Sequence, residues 1–489
     1  MFKKDNILVN KIIENSKKYP NKKIIYDKSN SLTYSQLISC AIANSKKIEI
    51  LKSDFVPILV DRNISTVVSI LSVIFAKKIF CPISNNIPNE RINLFLDLLK
   101  ADCLINCSKK KINFKKELKV NLKLKTDVNK FKFKNLEETF YLLFTSGSTG
   151  NPKGVKLSYE NILNTLLWSQ DYLEWSKHKI GIATQFSFDI SMFDLFSGLY
   201  FGVPMYIFQN PSNPMDSIKE IKKHKVTSIF SVPTFFSNFV KYNLMKKDLY
   251  NLRRIISGGD FFNNKDILSW KKNHPKVNIF NVWGPTETSI VNTMYKISKK
   301  DFKSLYQGKS IPVGKSHRLM KLKILRNKKI IKKNNIGEIC MIGKCVSQGY
   351  LGNIKNSKNY FKLNNQRAYS TGDLGYLDNK NYLHIIGRKD NTIKISGYRV
   401  DTLEVENLVN MNFTTTNCCL IKLNLFEIDI LCLAIETTNK IQTERILKFL
   451  KKKLPIYSIP KRIVFLKKFP LNQNNKIDRN KIKKLLNEK

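Results

Sequence analysis

The 489-residue chain is long enough for about two to four domains, and its balance of 42% hydrophobic, 11% aromatic and 25% charged residues is that of a globular protein. That excludes a disordered tail protein, a collagen-like chain and a small disulfide-stapled scaffold. The charge is unusual: 85 Lys and Arg against 38 Asp and Glu leave a net +47, which by itself points to a binder of nucleic acid or another anionic surface. The kind of cation argues otherwise. Lysine supplies 73 of the 85 and arginine 12, whereas specific nucleic-acid readers rely on the bidentate arginine fork. The lysines run along the whole chain beside 52 asparagines, so AT-rich coding is the expected source of the surplus.

Leu8, Ile12 and Ile13 space an amphipathic helix at the N-terminus, with no apolar stretch resembling a targeting signal. Short apolar runs near residues 24, 57 and 79 alternate with helical stretches and predict a parallel α/β sheet. The apolar run from Ser65 to Ala76 is too short to span a bilayer. Residues 108–135 are lysine-rich with partial alternation. An exposed sheet edge or loop is expected there, with a nucleic-acid arm as the alternative. From Thr139 an apolar strand enters a Gly/Ser/Thr loop, and strands then alternate with helices to about residue 290. Between 310 and 387, short strands with Gly and Asn turns predict a small β-barrel region. The last hundred residues mix strands and helices, with the main boundary near Gly387–Asp390. The nine cysteines form no CxxC pair and the five histidines are scattered, so neither a zinc site nor a disulfide framework is expected, and the default compartment is a reducing cytoplasm.

The most informative stretch is FYLLFTSGSTGNPKG, Phe140–Gly154. Its glycines let backbone N–H groups converge on an anion, its hydroxyls add donors and Lys153 adds charge, which describes a phosphate-gripping loop. The spacing matches neither GxxxxGK[ST] nor GxGxxG.

This loop resembles the signature of the adenylate-forming enzymes. Other segments resemble the core motifs of amino-acid adenylation domains and follow in family order: SLTYSQL (Ser31–Leu37), FSFDIS (Phe186–Ser191), NVWGPTE (Asn281–Glu287), GEICMIGKCVSQGYL (Gly337–Leu351), YSTGDL (Tyr369–Leu374), GRKDNTIKISGYRV (Gly387–Val400), LPIYSIP (Leu454–Pro460) and NNKIDR (Asn474–Arg479). The branch includes stand-alone nonribosomal peptide synthetase adenylation domains and D-alanine–carrier protein ligases. The resemblance implies an α/β fold with a large N-terminal core, residues 1–388, of two sheet-and-helix subdomains plus the small barrel. A smaller, mobile α+β lid, residues 389–489, carries the catalytic lysine.

The resemblance also distributes roles. Thr145, Ser146, Gly147, Ser148, Thr149, Gly150 and Lys153 would grip the phosphates of ATP. Gly259 and Asp260, Asn281, Trp283, Gly284, Pro285, Thr286 and Glu287 would surround the nucleotide, Trp283 offering a flat face to adenine and Glu287 a carboxylate to Mg²⁺. Asp373 would accept from the ribose hydroxyls and Arg388 would reach ribose or phosphate. Lys476 is the expected catalytic lysine, aimed at the negative oxygens that develop on the α-phosphate, with Thr145 and Glu287 assisting.

Asp189 in the FDxS pattern is expected to pair with a substrate ammonium, although an aspartate there could also cap a helix. Ile190, Phe193, Phe230, Ile256, Gly258, Val282, Ile290 and Val291 would line the remaining wall. That lining is apolar and suits a small or medium uncharged side chain. A hinge is expected at Asp390 and a thiol tunnel beside Gly397. After GYR the chain reads VDTLEVE rather than the family's Leu-Gly-Glu-Ile-Glu-like run, which alters the local helix start.

The implied reaction converts ATP·Mg²⁺ and an amino acid into aminoacyl-AMP and pyrophosphate, then moves the aminoacyl group to a phosphopantetheine thiol. No carrier segment is evident, so an acidic carrier protein acting in trans is expected, with no nucleic-acid partner and no membrane insertion. The alternatives are an acyl-CoA ligase for a fatty or aryl acid and, more remotely, a nucleic-acid-binding protein on the same fold.

Overall fold

The computed structural model describes residues 6–133, 138–145, 152–246, 249–307, 309, 311–316, 319–352, 358–389, 392–413, 417–425, 428–437, 442–470 and 477–487. The chain forms two compact units. One comprises Met1–Asn85, Leu98–Leu143 and Gly154–Lys389, the other Asn86–Asp97, Phe144–Lys153 and Asp390–Lys489.

The first unit contains a nine-stranded sheet whose middle strands are Asn278–Trp283, Arg254–Ser257, Ser228–Ser231, Ile180–Ile182, Met205–Ile207 and Lys23–Tyr26, in that order and all parallel. Their residues are almost all buried, as a parallel sheet covered on both faces requires. A second sheet runs Glu117–Leu118, Leu104–Asn106, Phe55–Val60, Ile79–Ser84, Thr139–Thr145, Lys153–Ser158. Glu117–Leu118 is its outer strand, so the lysine-rich stretch lies at a sheet edge, where charge discourages further pairing. The apolar run too short for a membrane is the helix Ile64–Phe75, in which every residue except Ser65 is buried. No helix among the described residues is long and apolar enough to cross a membrane. The N-terminal helix Ile7–Lys18 buries Leu8, Ile12 and Ile13 as their spacing predicts.

Local signals set the helix starts. Thr33 with Gln36, and Ser158 with Asn161, form reciprocal caps that open the helices Tyr34–Glu49 and Tyr159–Ser169. The region expected as a small barrel is a six-stranded antiparallel sheet around Met320–Arg326, Gly337–Gly343 and the long strand Gln366–Leu377, on which Leu383–Arg388 also pairs.

The second unit holds the hairpin Thr392–Ile395/Tyr398–Asp401 and a three-stranded sheet of Asn417–Leu425, Ile428–Glu436 and Arg462–Leu466. The helices Thr402–Asn412, Thr443–Lys453 and Arg479–Asn487 belong to it as well. So does most of the helix Asn89–Leu98, tied in by a buried Arg91–Glu404 pair (Nη1–Oε1 2.6 Å) and an outer Lys453–Glu90 pair (2.6 Å). Phe95 stacks on Phe144 at 4.1 Å between ring centroids.

All nine cysteines are free and buried or half-buried. Burial pushes the thiols of Cys103, Cys107 and Cys432 up to about 11 and those of Cys340, Cys345, Cys418 and Cys419 to about 12. A maleimide-type reagent at neutral pH should therefore label the native protein no faster than it unfolds. Rapid labelling of several cysteines without denaturant would contradict this packing.

Candidate active site

The predicted site residues of the first unit collect at the carboxyl ends of the parallel strands, where ligands bind in open α/β sheets. Gly258 and Gly259 follow strand Arg254–Ser257, and Trp283 ends strand Asn278–Trp283. Gly259 takes φ +89°, a left-handed conformation that favours glycine.

Asp189 is the first residue of the helix Asp189–Phe201. Phe188 occupies the cap position without a side-chain cap bond. The Asp189 carboxylate instead accepts a hydrogen bond from Thr286 Oγ1 at 2.6 Å while only 7% of the residue is exposed. The helix N-terminus favours a negative charge at this position. Tyr141, on the strand Thr139–Thr145, is fully buried, and its phenol is pushed up by burial and by the charge of Asp189.

The wall residues pack tightly. Phe193 and Phe230 meet edge to face at 5.5 Å, and a Cβ placed on Gly258 would lie 2.6 Å from Val282 Cγ2. Ile190, Phe193, Phe230, Ile256, Val282, Ile290 and Val291 are all buried. Ser289 and Ile290 have φ +69° and +71°, a strained turn for a β-branched residue. Hydrogen bonds from Thr165 Oγ1 to Ser289 O (3.0 Å) and from Ser289 Oγ to Cys345 O (3.1 Å) hold the turn. Gly284 faces it, where a Cβ would come within 2.4 Å of Ile290 O.

Glu287 is buried in the short 3₁₀ turn Thr286–Thr288, after Pro285. Its Oε1 accepts from the Tyr350 hydroxyl at 3.1 Å, and Tyr350 contacts the Tyr369 hydroxyl at 3.3 Å. Burial and the Glu287 charge push the Tyr350 phenol up, so it remains a donor. Tyr350 carries no role in the sequence reading, although it is the penultimate residue of the GEICMIGKCVSQGYL motif. Among the described residues no three His, Cys, Asp or Glu side chains gather as a metal cage. One carboxylate together with nucleotide phosphates suits Mg²⁺, so Glu287 fits that ion.

Asp373 and Arg388 are cross-strand neighbours in the antiparallel pair Gln366–Leu377/Leu383–Arg388. Arg388 Nη1 pairs with Asp373 Oδ1, and its Nη2 donates to Thr371 O at 3.3 Å. The other oxygen, Oδ2, accepts from Trp283 Nε1 at 2.9 Å. Trp283 is 4% exposed and joins the cluster with Val313, Met320 and Leu322, so its ring packs against protein in this conformation. Asn281 Nδ2 donates to Pro312 O at 3.2 Å. Asp260 accepts from Phe261 N at 2.8 Å.

In the second unit, Thr145 Oγ1 donates to Lys153 O at 3.4 Å. Ser146, Gly147, Ser148, Thr149, Gly150, Asp390 and Lys476 lie outside the described residues. Gly397 forms a two-residue turn with Ser396, the two at φ +81° and +48°, a hairpin turn that favours glycine.

This architecture of sheets and helices is that of solved adenylation domains. It matches the Vibrio cholerae adenylation domain AlmE in complex with glycyl-adenosine-5'-phosphate with a TM-score of 0.87 and 19% identity, over 100% of this chain and 99% of the other. By sequence the chain belongs to the AMP-binding enzyme family, whose model matches residues 12–351, and is thus an AMP-forming ligase. The D-alanine–D-alanyl carrier protein ligase of Bacillus licheniformis is 30% identical over 500 residues, covering 97% of this chain and 99% of that relative. Bacitracin synthase 3 of Bacillus licheniformis is 28% identical over 438 residues, covering 87% of this chain but only 7% of the synthase.

Proposed function

We propose that the protein activates a small amino acid as its aminoacyl adenylate, using ATP with Mg²⁺. It then passes the aminoacyl group to the phosphopantetheine thiol of a separate, acidic carrier protein in the cytoplasm. The observation that carries this reading is Asp189, a carboxylate buried in an apolar wall and oriented by Thr286 of the NVWGPTE segment. An anion placed there suits an ammonium group, which a fatty or aryl acid lacks. The size of the substrate follows from the wall. Phe193 and Phe230 in edge contact and the absence of room for a side chain at Gly258 support a small uncharged substrate side chain.

In the first half-reaction Lys153 and Lys476 offset charge on the phosphates, and Thr145 donates to them. Asp373 would take the ribose, and Glu287 would hold Mg²⁺, which would supply further positive charge at the phosphates. In the second, a turn of residues 389–489 about Asp390 withdraws Lys476 and brings Gly397 to the thiol path. The lysine surplus would favour encounter with an acidic carrier. The relatives named as carrier protein ligases support this acceptor.

The deciding experiment is ATP–pyrophosphate exchange over a panel of L- and D-amino acids, fatty acids and aryl acids. Exchange with glycine, alanine or serine and none with the other acids is expected. Preference for a fatty or aryl acid would sink the reading.

A further inference from the structure

The last helix of the chain, Arg479–Asn487, begins three residues after Lys476, and its first residue makes an unusual contact for a surface element. The Arg479 guanidinium grips Glu406 with both arms, Nη1 to Oε1 at 2.7 Å and Nη2 to Oε2 at 2.8 Å. Glu406 sits on the helix Thr402–Asn412 with its side chain 6% exposed, and its Oε1 also accepts from Leu420 N at 2.7 Å. Arg479 Nη1 reaches Leu420 O at 3.1 Å. The fork thus joins two helices to the edge strand Asn417–Leu425.

The described residues on either side of 471–476 are tied together as well. Asp478 N donates to Pro470 O at 2.8 Å, and Phe469 N donates to Glu436 Oε1 at 2.7 Å. Ile477 packs against the cluster of Cys419, Ile421, Phe469, Ile482 and Leu486. Asp478 then caps the helix, its Oδ1 accepting from Lys481 N at 3.0 Å.

A buried ion pair adds little net stability over an apolar pair of the same shape. What the planar fork adds is direction, since two parallel bonds fix the angle between the elements they join. We propose that Glu406 and Arg479 are positioning residues for adenylate formation, fixing the backbone of Ile477–Arg479 that follows the lysine assigned above to catalysis. This rests on the reading of Lys476 as the catalytic lysine.

The test is a double-mutant cycle in the full-length protein. Arg479→Lys keeps the charge and loses the fork; Glu406→Gln keeps the shape and loses the charge, and serves if the first variant folds poorly. Adenylation is followed by pyrophosphate exchange. Transfer is followed separately, from supplied aminoacyl-AMP to a pantetheine thiol. For either variant the adenylation kcat should fall by about 10- to 100-fold, the scale set by small misplacements of a reacting group. KM for ATP and amino acid should stay within about twofold, and transfer from supplied adenylate should be unchanged. Combined with Lys476→Ala, the Arg479→Lys change should add no further loss, because both act through one group. Additive losses, a parallel fall in both half-reactions, or an unaltered adenylation kcat would each overturn the positioning role. A fully active Lys476→Ala variant would overturn the reading of Lys476 itself, an outcome distinct from the other three.

Discussion

Asp189→Ala should lower amino-acid-dependent pyrophosphate exchange by about two to three orders of magnitude, or ~3–4 kcal/mol, the range for truncating one side of a buried charge pair. The effect should fall on the amino acid and spare the nucleotide. Asp189 lies at the start of the helix Asp189–Phe201, and Thr286 Oγ1 orients its carboxylate. Alanine at the first helical turn fits the helix and leaves the fold intact. The KM for the amino acid should rise while that for ATP holds, and carboxylic acids without an amino group should gain ground relative to amino acids. Asp189→Asn, which keeps the shape and the acceptor for Thr286, isolates the charge and should lose most of the same activity. An unchanged amino-acid KM in both variants would remove the ammonium from this site.

Asp373→Ala combines a loss of stability with a loss of nucleotide binding. The carboxylate serves Arg388 on one oxygen and the Trp283 indole N–H on the other, with its side chain 3% exposed. Deleting it leaves a guanidinium that is 12% exposed and a buried N–H without their acceptor, a change that costs about 3–5 kcal/mol for a buried pair. A carboxylate has about four lone-pair sites, so two protein donors still leave room for ribose hydroxyls. The variant should unfold at a clearly lower temperature and show no measurable heat on titration with a non-hydrolysable ATP analogue. Asp373→Asn should recover much of the stability and little of the binding. Wild-type nucleotide affinity in the alanine variant would exclude Asp373 from the ribose site.

Much of the fold was readable from the spacing of apolar runs. The apolar runs at FVPILV, IFCPIS and NIFNVW are strands because a sheet covered on both faces needs unbroken hydrophobic segments, and the FYLLF run announces the strand before the phosphate loop. The candidate site residues Asp189, Glu287, Asp373 and Arg388 came from the resemblance of their motifs to a family. What letters cannot carry is pairing at a distance. Nothing in the sequence joins Trp283 to Asp373, since the indole N–H finds its acceptor only once the antiparallel sheet brings Gln366–Leu377 alongside. Tyr350 beside Glu287 and Arg479 on Glu406 are of the same kind. The turn at Ser289–Ile290 escapes sequence patterns for another reason: a β-branched residue at positive φ contradicts local propensity and is held by tertiary hydrogen bonds from Thr165 and to Cys345.

The Arg91–Glu404 pair bears on how such enzymes can be recombined. Arg91 precedes the phosphate loop by more than fifty residues, yet its guanidinium is buried on a carboxylate near the other end of the chain, with Glu90 and Lys453 paired beside it. A graft that exchanged everything after residue 388 for the tail of a relative would leave Arg91 facing a foreign side chain. Transplanting the short segment 86–97 along with the tail keeps both halves of the ion pair from the same parent. Shuffling that respects this pair therefore takes three cuts, two around 86–97 and one after 388.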